Sequence, residues 1–322
     1  MSVIKALLLE LVRGLHARRA HDSGIPTVKR VKTAVLDIAY DERGDAGAPV
    51  VLLLHGFPDD PRAWDKIVPD LEREGFRTLA PYSRGFGHTR FLDDDTPRSG
   101  QTAALVQDAV DFADALGIER FILVGHDWGG RVAYPLAAVF PERVTAVIAL
   151  ASPYSSGVPK IDAHAELSVD QAAAYWYQWY FNTDKGREAL ESNRAELCRE
   201  LWRRWSPSWR YSKATFDRTA ESFENPDFVD VVLHSYRGRW ENAVPDPRYD
   251  ELERQMAKQH KIDAPTVVLI GAEDGATLPK ASEEKEMHFS GRYRRRVLRG
   301  TGHFIPREDP ESVIDAVLAV RD

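Results

Sequence analysis

The sequence predicts an α/β chain: a mostly parallel central sheet with helices on both faces, and a block of helices inserted above it as a cap. Short apolar runs that read as strands buried on both faces alternate with helical stretches through residues 27–156 and again through 261–322. One of these runs, Phe121-Ile122-Leu123-Val124, passes into a Gly-x-Asp-x-Gly bend followed by a helical pattern. Between the two halves, residues 157–260 show no strand pattern and hold six of the eight tryptophans. A helical insertion between two sheet-forming halves is expected over the carboxyl edge of the sheet, where open α/β sheets bind ligands.

Taken in order, residues 1–26 carry the stripe Val3, Leu7, Leu11 and Leu15, which predicts an amphipathic helix. Lys5, Glu10 and Arg13 interrupt its apolar run, which falls far short of the roughly 20 residues that span a bilayer. It is expected to pack on the domain or on a second subunit, the latter making a homodimer, with association at a membrane surface the lesser option and no stable insertion. Residues 33–40 alternate as an edge strand with one wet face, and 41–45 read as a turn. Residues 50–54 are apolar throughout, as a central parallel strand is. Residues 65–74 and 101–116 read as helices, the second stopping at Gly117, with a short strand at 76–80 between them. Residues 131–140 are helical, 144–150 and 266–270 are buried strands, and 295–298 is a last strand. The run Arg292-Tyr293-Arg294-Arg295-Arg296 fits the wet face of an edge strand better than an anion site.

Composition narrows the function. Of 322 residues, 43% are hydrophobic and 29% charged, and a net charge of −7 gives no support for nucleic-acid binding. A lone cysteine, Cys198, cannot form an internal disulfide, so a reducing, cytoplasmic setting is expected. Neither a metal-ligand spacing nor a dinucleotide or phosphate-loop fingerprint occurs, so the expected ligands are a small-molecule substrate and water, with no cofactor and no metal.

The bend at Gly125-His126-Asp127-Trp128-Gly129 decides the chemistry. Small residues let strand and helix approach while the central side chain is thrust outward, and that side chain is a carboxylate. An aspartate attacking saturated carbon forms an alkyl ester that water can cleave, where a serine would form an inert ether. Clearing the ester needs a base, and an imidazole base needs an acid to orient it. In the order nucleophile, acid, histidine, Asp274 follows the 266–270 strand and His303 follows the last one, with Glu273 as the rival acid. The backbone N–H groups of Phe57, in His55-Gly56-Phe57-Pro58, and of Trp128 are placed to hold the developing oxyanion.

With these pieces in view, the chain from about residue 48 to 320 resembles the soluble epoxide hydrolases of the α/β-hydrolase fold. The likeness rests on His55-Gly56-Phe57-Pro58, Gly125 to Gly130, Asp274 and Gly302-His303. It extends into the cap, where the family's Tyr-Gln-x-Tyr-Phe segment matches Tyr177-Gln178-Trp179-Tyr180-Phe181 and its Tyr-Arg step matches Tyr236-Arg237. The resemblance implies that Tyr177 and Tyr236 are the acids that protonate the epoxide oxygen, with Tyr180 as substitute; spacing alone would make Tyr177 a core residue. A phenol suits that task, because it stays neutral beside Asp127 and can donate to a departing alkoxide.

Haloalkane and haloacid dehalogenases share the aspartate, histidine and acid. Haloalkane dehalogenases usually carry an amide side chain where Phe57 stands. The chain keeps Arg131, which matches one of two carboxylate-clamping arginines of fluoroacetate dehalogenases, but has Trp128 in place of the other. Gln178-Trp179 stands where that family has a His-Trp halide pair, which leaves Trp179 as one indole donor; for a departing halide the Trp128 indole is another candidate, and Trp179, Tyr180 and Arg131 are the candidate substrate contacts. A non-catalytic ligand receptor on the same fold would need the pocket but not the full Asp127, Asp274 and His303 set.

Overall fold

The computed structural model describes residues 28–162 and 167–321 of the chain. The expected N-terminal helix at 1–26 lies outside the described residues. Among the described residues nine strands form one sheet: β1 (Lys29–Lys32), β2 (Leu36–Arg43), β3 (Val50–Leu54), β4 (Arg77–Pro81), β5 (Arg90–Phe91), β6 (Phe121–His126), β7 (Val144–Leu150), β8 (Thr266–Gly271) and β9 (Tyr293–Leu298). Their order is β1-β2-β4-β3-β6-β7-β8-β9, with β5 paired to β2. Pairings involving β2 are antiparallel, and from β4 to β9 every pairing is parallel.

The central strands are apolar on both faces because both are covered. Val50, Leu52 and Leu54 pack with the helices α2 (Thr102–Ala115) and α3 (Trp128–Val139), while Val51 and Leu53 face α1 (Val68–Arg73) and the C-terminal α12 (Pro310–Leu318). Phe121 and Leu123 divide from Ile122 and Val124 in the same way. The parallel register sets Leu54 beside Gly125 and His126 beside Leu150, so the loops after β3, β6, β8 and β9 leave the same edge of the sheet.

The strand expected at the edge is not an edge strand. Leu36–Arg43 lies between β1 and β4 and runs on through Arg43, so 41–43 belong to the sheet and the turn comes at Gly44. Its charged residues pair with the neighbouring strands: Asp37 with Arg30 on β1, and Glu42 with Lys29 on β1 and Arg77 on β4. β9, with Arg294 and Arg296 exposed, is an edge of the sheet.

Every described element between β7 and β8 is helical, and these helices form the cap: α4 (Pro159–Asp162), α5 (Val169–Ala174), α6 (Trp176–Phe181), α7 (Asp184–Trp205), α8 (Lys213–Ala220), α9 (Phe228–Arg239) and α10 (Asp250–Met256), with short 3₁₀ turns. One more short helix, α11 (Ile305–Glu308), follows β9. Two buried arginines fasten cap to core. Arg84 forks onto Asp108 and reaches the Tyr249 hydroxyl at 3.0 Å. Arg307 pairs with Asp59 and donates to Thr219 Oγ1 at 2.9 Å. Among the described residues no helix is long and apolar enough to cross a membrane.

Candidate active site

Asp127 sits where β6 gives way to α3, with φ 51° and ψ −108°, a left-handed conformation that costs a non-glycine residue roughly 1–3 kcal/mol. Packing on either side sustains it. A Cβ on Gly129 would lie 2.1 Å from the Leu54 carbonyl oxygen, so only glycine allows α3 this close to β3. Similarly, a Cβ on Gly56 would stand 2.5 Å from Cβ of Asp127. The Phe57 N–H donates to Asp127 Oδ1 at 3.0 Å. Trp128 opens the helix, so its N–H belongs to the first turn, whose donors have no acceptor inside the helix.

Two loops bring the remaining polar groups to the same place. His303 Nε2 stands 3.8 Å from Asp127 Oδ2, and its Nδ1 lies 2.9 Å from Asp274 Oδ2, with both the His303 and Asp274 side chains fully buried. Asp274 is itself held by the N–H groups of Ala276 and Thr277, each at 2.8 Å. The imidazole thus takes its carboxylate from Asp274 and not from Glu273, the rival acid. Because Asp274 engages Nδ1, Nε2 is the nitrogen turned to Asp127, and among the described residues it has no hydrogen-bond partner. Burial opposes a charge on His303, but Asp274 and then Asp127 and Glu308 outweigh it and raise its pKa above the usual imidazole value.

The histidine loop is fixed by residues that sequence reasoning missed. Glu308 accepts from the N–H of Gly302 and of Phe304, both at 2.9 Å, and from Ser206 Oγ at 2.6 Å, while Ser206 Oγ accepts the His303 N–H at 2.8 Å. His126, expected to point into the fold, is buried and donates from Nε2 to the His303 carbonyl at 2.9 Å. Burial first, then the neighbouring His303, lowers its pKa to about 4, so it stays neutral. The Gly302-His303-Phe304 turn gives no hint of Glu308 or Ser206; only their separation along the chain is visible in sequence.

Over Asp127 the cap brings down Tyr177 and Tyr236, whose rings meet edge to face at 5.3 Å, with Phe57, Trp128 and Trp205 around them. Burial and then, among other charges, that of Asp127 raise both phenol pKa values, so both hydroxyls keep their protons. Three candidate contacts are not brought to this cluster in the same way. Trp179 is 42% exposed, packs against Trp240 and spends its indole N–H on the Ala172 carbonyl, because its place on α6 lies on the solvent side. Tyr180 is half-buried against Trp176. Arg131 lies beside the Trp128 ring with its Nε buried and, among the described residues, unpartnered, its backbone N–H bonded to the Asp127 carbonyl. Among the described residues no cluster of three or more His, Cys, Asp or Glu side chains could hold a metal ion.

This carboxylate, imidazole and acid, beneath two protonated phenols and beside a backbone N–H cradle, can carry a covalent ester and its hydrolysis. Residues 49–310 match the family described as alpha/beta hydrolase fold. A crystal structure of a protein from Klebsiella pneumoniae, provisionally classed as an epoxide hydrolase, superposes with a TM-score of 0.87 and 35% identity over 91% of this chain and 97% of that one. Epoxide hydrolase A of Mycobacterium tuberculosis is 27% identical over 92% of this chain and 97% of its own length. Epoxide hydrolase 4 of the mouse is 25% identical over 88% of this chain and 76% of its own length. The chain therefore belongs to the α/β-hydrolase fold family, among its soluble epoxide hydrolase-like members.

Proposed function

We propose that the protein opens epoxides to vicinal diols through a covalent alkyl ester on Asp127. A carboxylate oxygen of Asp127 attacks an epoxide carbon, the carbon–oxygen bond breaks, and the freed oxygen takes a proton from Tyr177 or Tyr236. The resulting hydroxyalkyl ester is cleared by water. His303 Nε2 takes the water's proton while the hydroxide adds to the ester carbonyl, and the N–H groups of Phe57 and Trp128 hold the oxyanion. Its collapse breaks the bond from the Asp127 carbonyl carbon to the diol oxygen, which leaves with the proton of the His303 imidazolium, and the proton left on the Asp127 carboxyl restores the phenol that gave one up.

The observation that carries this reading over dehalogenation is the state of the indoles. A departing halide needs N–H donors, and the Trp128 indole is spent on the Tyr236 oxygen at 3.2 Å while that of Trp179 is spent on a backbone carbonyl. What faces the carboxylate is a pair of neutral phenols, which suit an alkoxide leaving group. The similarity to proteins named epoxide hydrolases supports the same reading.

The experiment is to offer His303→Gln enzyme styrene oxide, a chloroalkane and fluoroacetate. The epoxide should leave a mass adduct on the peptide containing Asp127, and wild-type enzyme should release diol with no halide from the other two. An adduct and halide from the halogenated compounds alone would transfer the site to dehalogenation. Tyr177→Phe combined with Tyr236→Phe should slow ester formation by at least about 10²-fold, the usual contribution of a general acid.

A further inference from the structure

The geometry points to Gln178 as a positioning residue for Tyr177: locked by Trp240, its amide forces the phenol to accept, and so turns the phenol's proton toward the substrate. This rests on the epoxide-opening reading above. Gln178 lies on α6 directly after Tyr177 and is fully buried. Its Oε1 accepts the Trp240 indole N–H at 3.2 Å, and its Nε2 donates to the Tyr177 oxygen at 3.0 Å. The amide cannot be reversed without loss. An indole N–H can only donate, so the atom facing Trp240 must be the amide oxygen, and the atom facing Tyr177 must be the NH₂.

A phenol whose oxygen receives a hydrogen bond from Gln178 has its own proton free for another acceptor. The same logic holds across the cavity, where the Trp128 indole, a donor only, meets the Tyr236 oxygen at 3.2 Å. Among the described residues neither hydroxyl donates to a protein acceptor. Two independent N–H donors therefore leave both protons for the space the two rings share above Asp127, where the epoxide oxygen would stand. Each donor also favours the phenolate that forms once the proton has been given up, which makes the phenol a stronger acid at the moment of ring opening. The backbone carbonyl of Gln178 is in turn held by Asn182 Nδ2 at 2.8 Å, so the device is anchored at both ends.

The test inverts the donor without changing the shape. In a His303→Gln background, where the ester accumulates and the histidine no longer titrates, adduct formation with styrene oxide is followed from about pH 6 to about pH 9 for the parent, Gln178→Glu and Gln178→Leu. The carboxylic acid that Gln178→Glu introduces can still donate to Tyr177 while it holds its proton. Once ionised it can only accept, and it captures the phenol's proton. With Gln178→Glu the rate should fall by about 10²-fold as pH rises through the buried carboxyl's raised pKa, while the parent profile is unaffected over that interval. Gln178→Leu, which removes the donor but cannot ionise, should be slower than the parent with the parent's pH profile. Equal rates and parallel profiles for all three overturn the inference alone, as do Gln178→Glu and Gln178→Leu proteins that are equally slow with no added pH limb, since that pattern reports packing. No adduct in the parent would overturn the epoxide reading, and the inference with it.

Discussion

At Asp127 the backbone strain, the glycines that permit it and the carboxylate's neighbours converge on one side chain, whose charge acts in turn on His303. Burial works against the imidazolium, yet Asp274, Asp127 and Glu308 together hold its pKa above 6.5. A base must be neutral, so in the free enzyme the neutral imidazole predominates only above that raised value. Once Asp127 is esterified, its negative charge, 3.8 Å from Nε2, is gone, and one cause of the raised pKa goes with it. The acid limb of ester hydrolysis should therefore lie at lower pH than the titration of His303 in the resting enzyme. Single-turnover hydrolysis across pH, set beside an NMR titration of His303, checks this; coincident values would mean that the Asp127 charge does not reach the imidazole. The aspartate, histidine and acid were legible in sequence because each stands in a short turn directly after a strand. Trp179 was not, since the motif that names it says nothing of which side of α6 meets solvent.

At the scale of elements, α11 holds the histidine loop. Glu308, at its end, accepts two backbone N–H groups of that loop and the Ser206 hydroxyl at the end of α7, so one carboxylate ties the catalytic turn to the cap. Burial raises its pKa, and these hydrogen bonds oppose the rise. Glu308→Ala should cost about 1–3 kcal/mol of stability, since it strands buried donors. It should slow ester hydrolysis by about 10-fold or more, as His303 loses its placement, while ester formation at Asp127 holds its rate. Rapid-quench measurement of the two half-reactions separates them, and equal slowing of both would deny the loop-specific role. Elements such as Val50–Leu54 could be read from sequence because unbroken apolarity has one explanation in a soluble sheet. Leu36–Arg43 could not be assigned its neighbours, because polar residues paired across a sheet alternate just as wet ones do.

For the molecule as a whole, the cap is fastened to the core by buried charge as much as by aromatic packing, and that makes stability depend on pH. Beside the Arg307–Asp59 pair, Asp60 is wholly buried, accepts the Ser222 hydroxyl from the cap and pairs with Arg62. Asp41 stands near this group. Burial, followed by Asp60 and with Arg62 opposing, raises its pKa from 3.8 to about 6. A carboxyl whose folded pKa exceeds its unfolded one keeps its proton longer in the native state. Between these values the native state binds more protons than the unfolded chain, and stability falls as pH rises through the window. Asp41→Asn removes the group that must ionise, and should stabilise the protein by about 1–2 kcal/mol above pH 7, a figure reduced from the full shift because water screens a partly exposed carboxylate. Below about pH 3, where Asp41 is protonated in both states, the gain should vanish. Urea unfolding of both proteins at the two pH extremes reads the difference directly. A gain that is the same at both would assign the effect to packing, whereas one present only at the higher pH would show that ionisation of Asp41 beside the charge cluster under the cap lowers stability between about pH 4 and about pH 6.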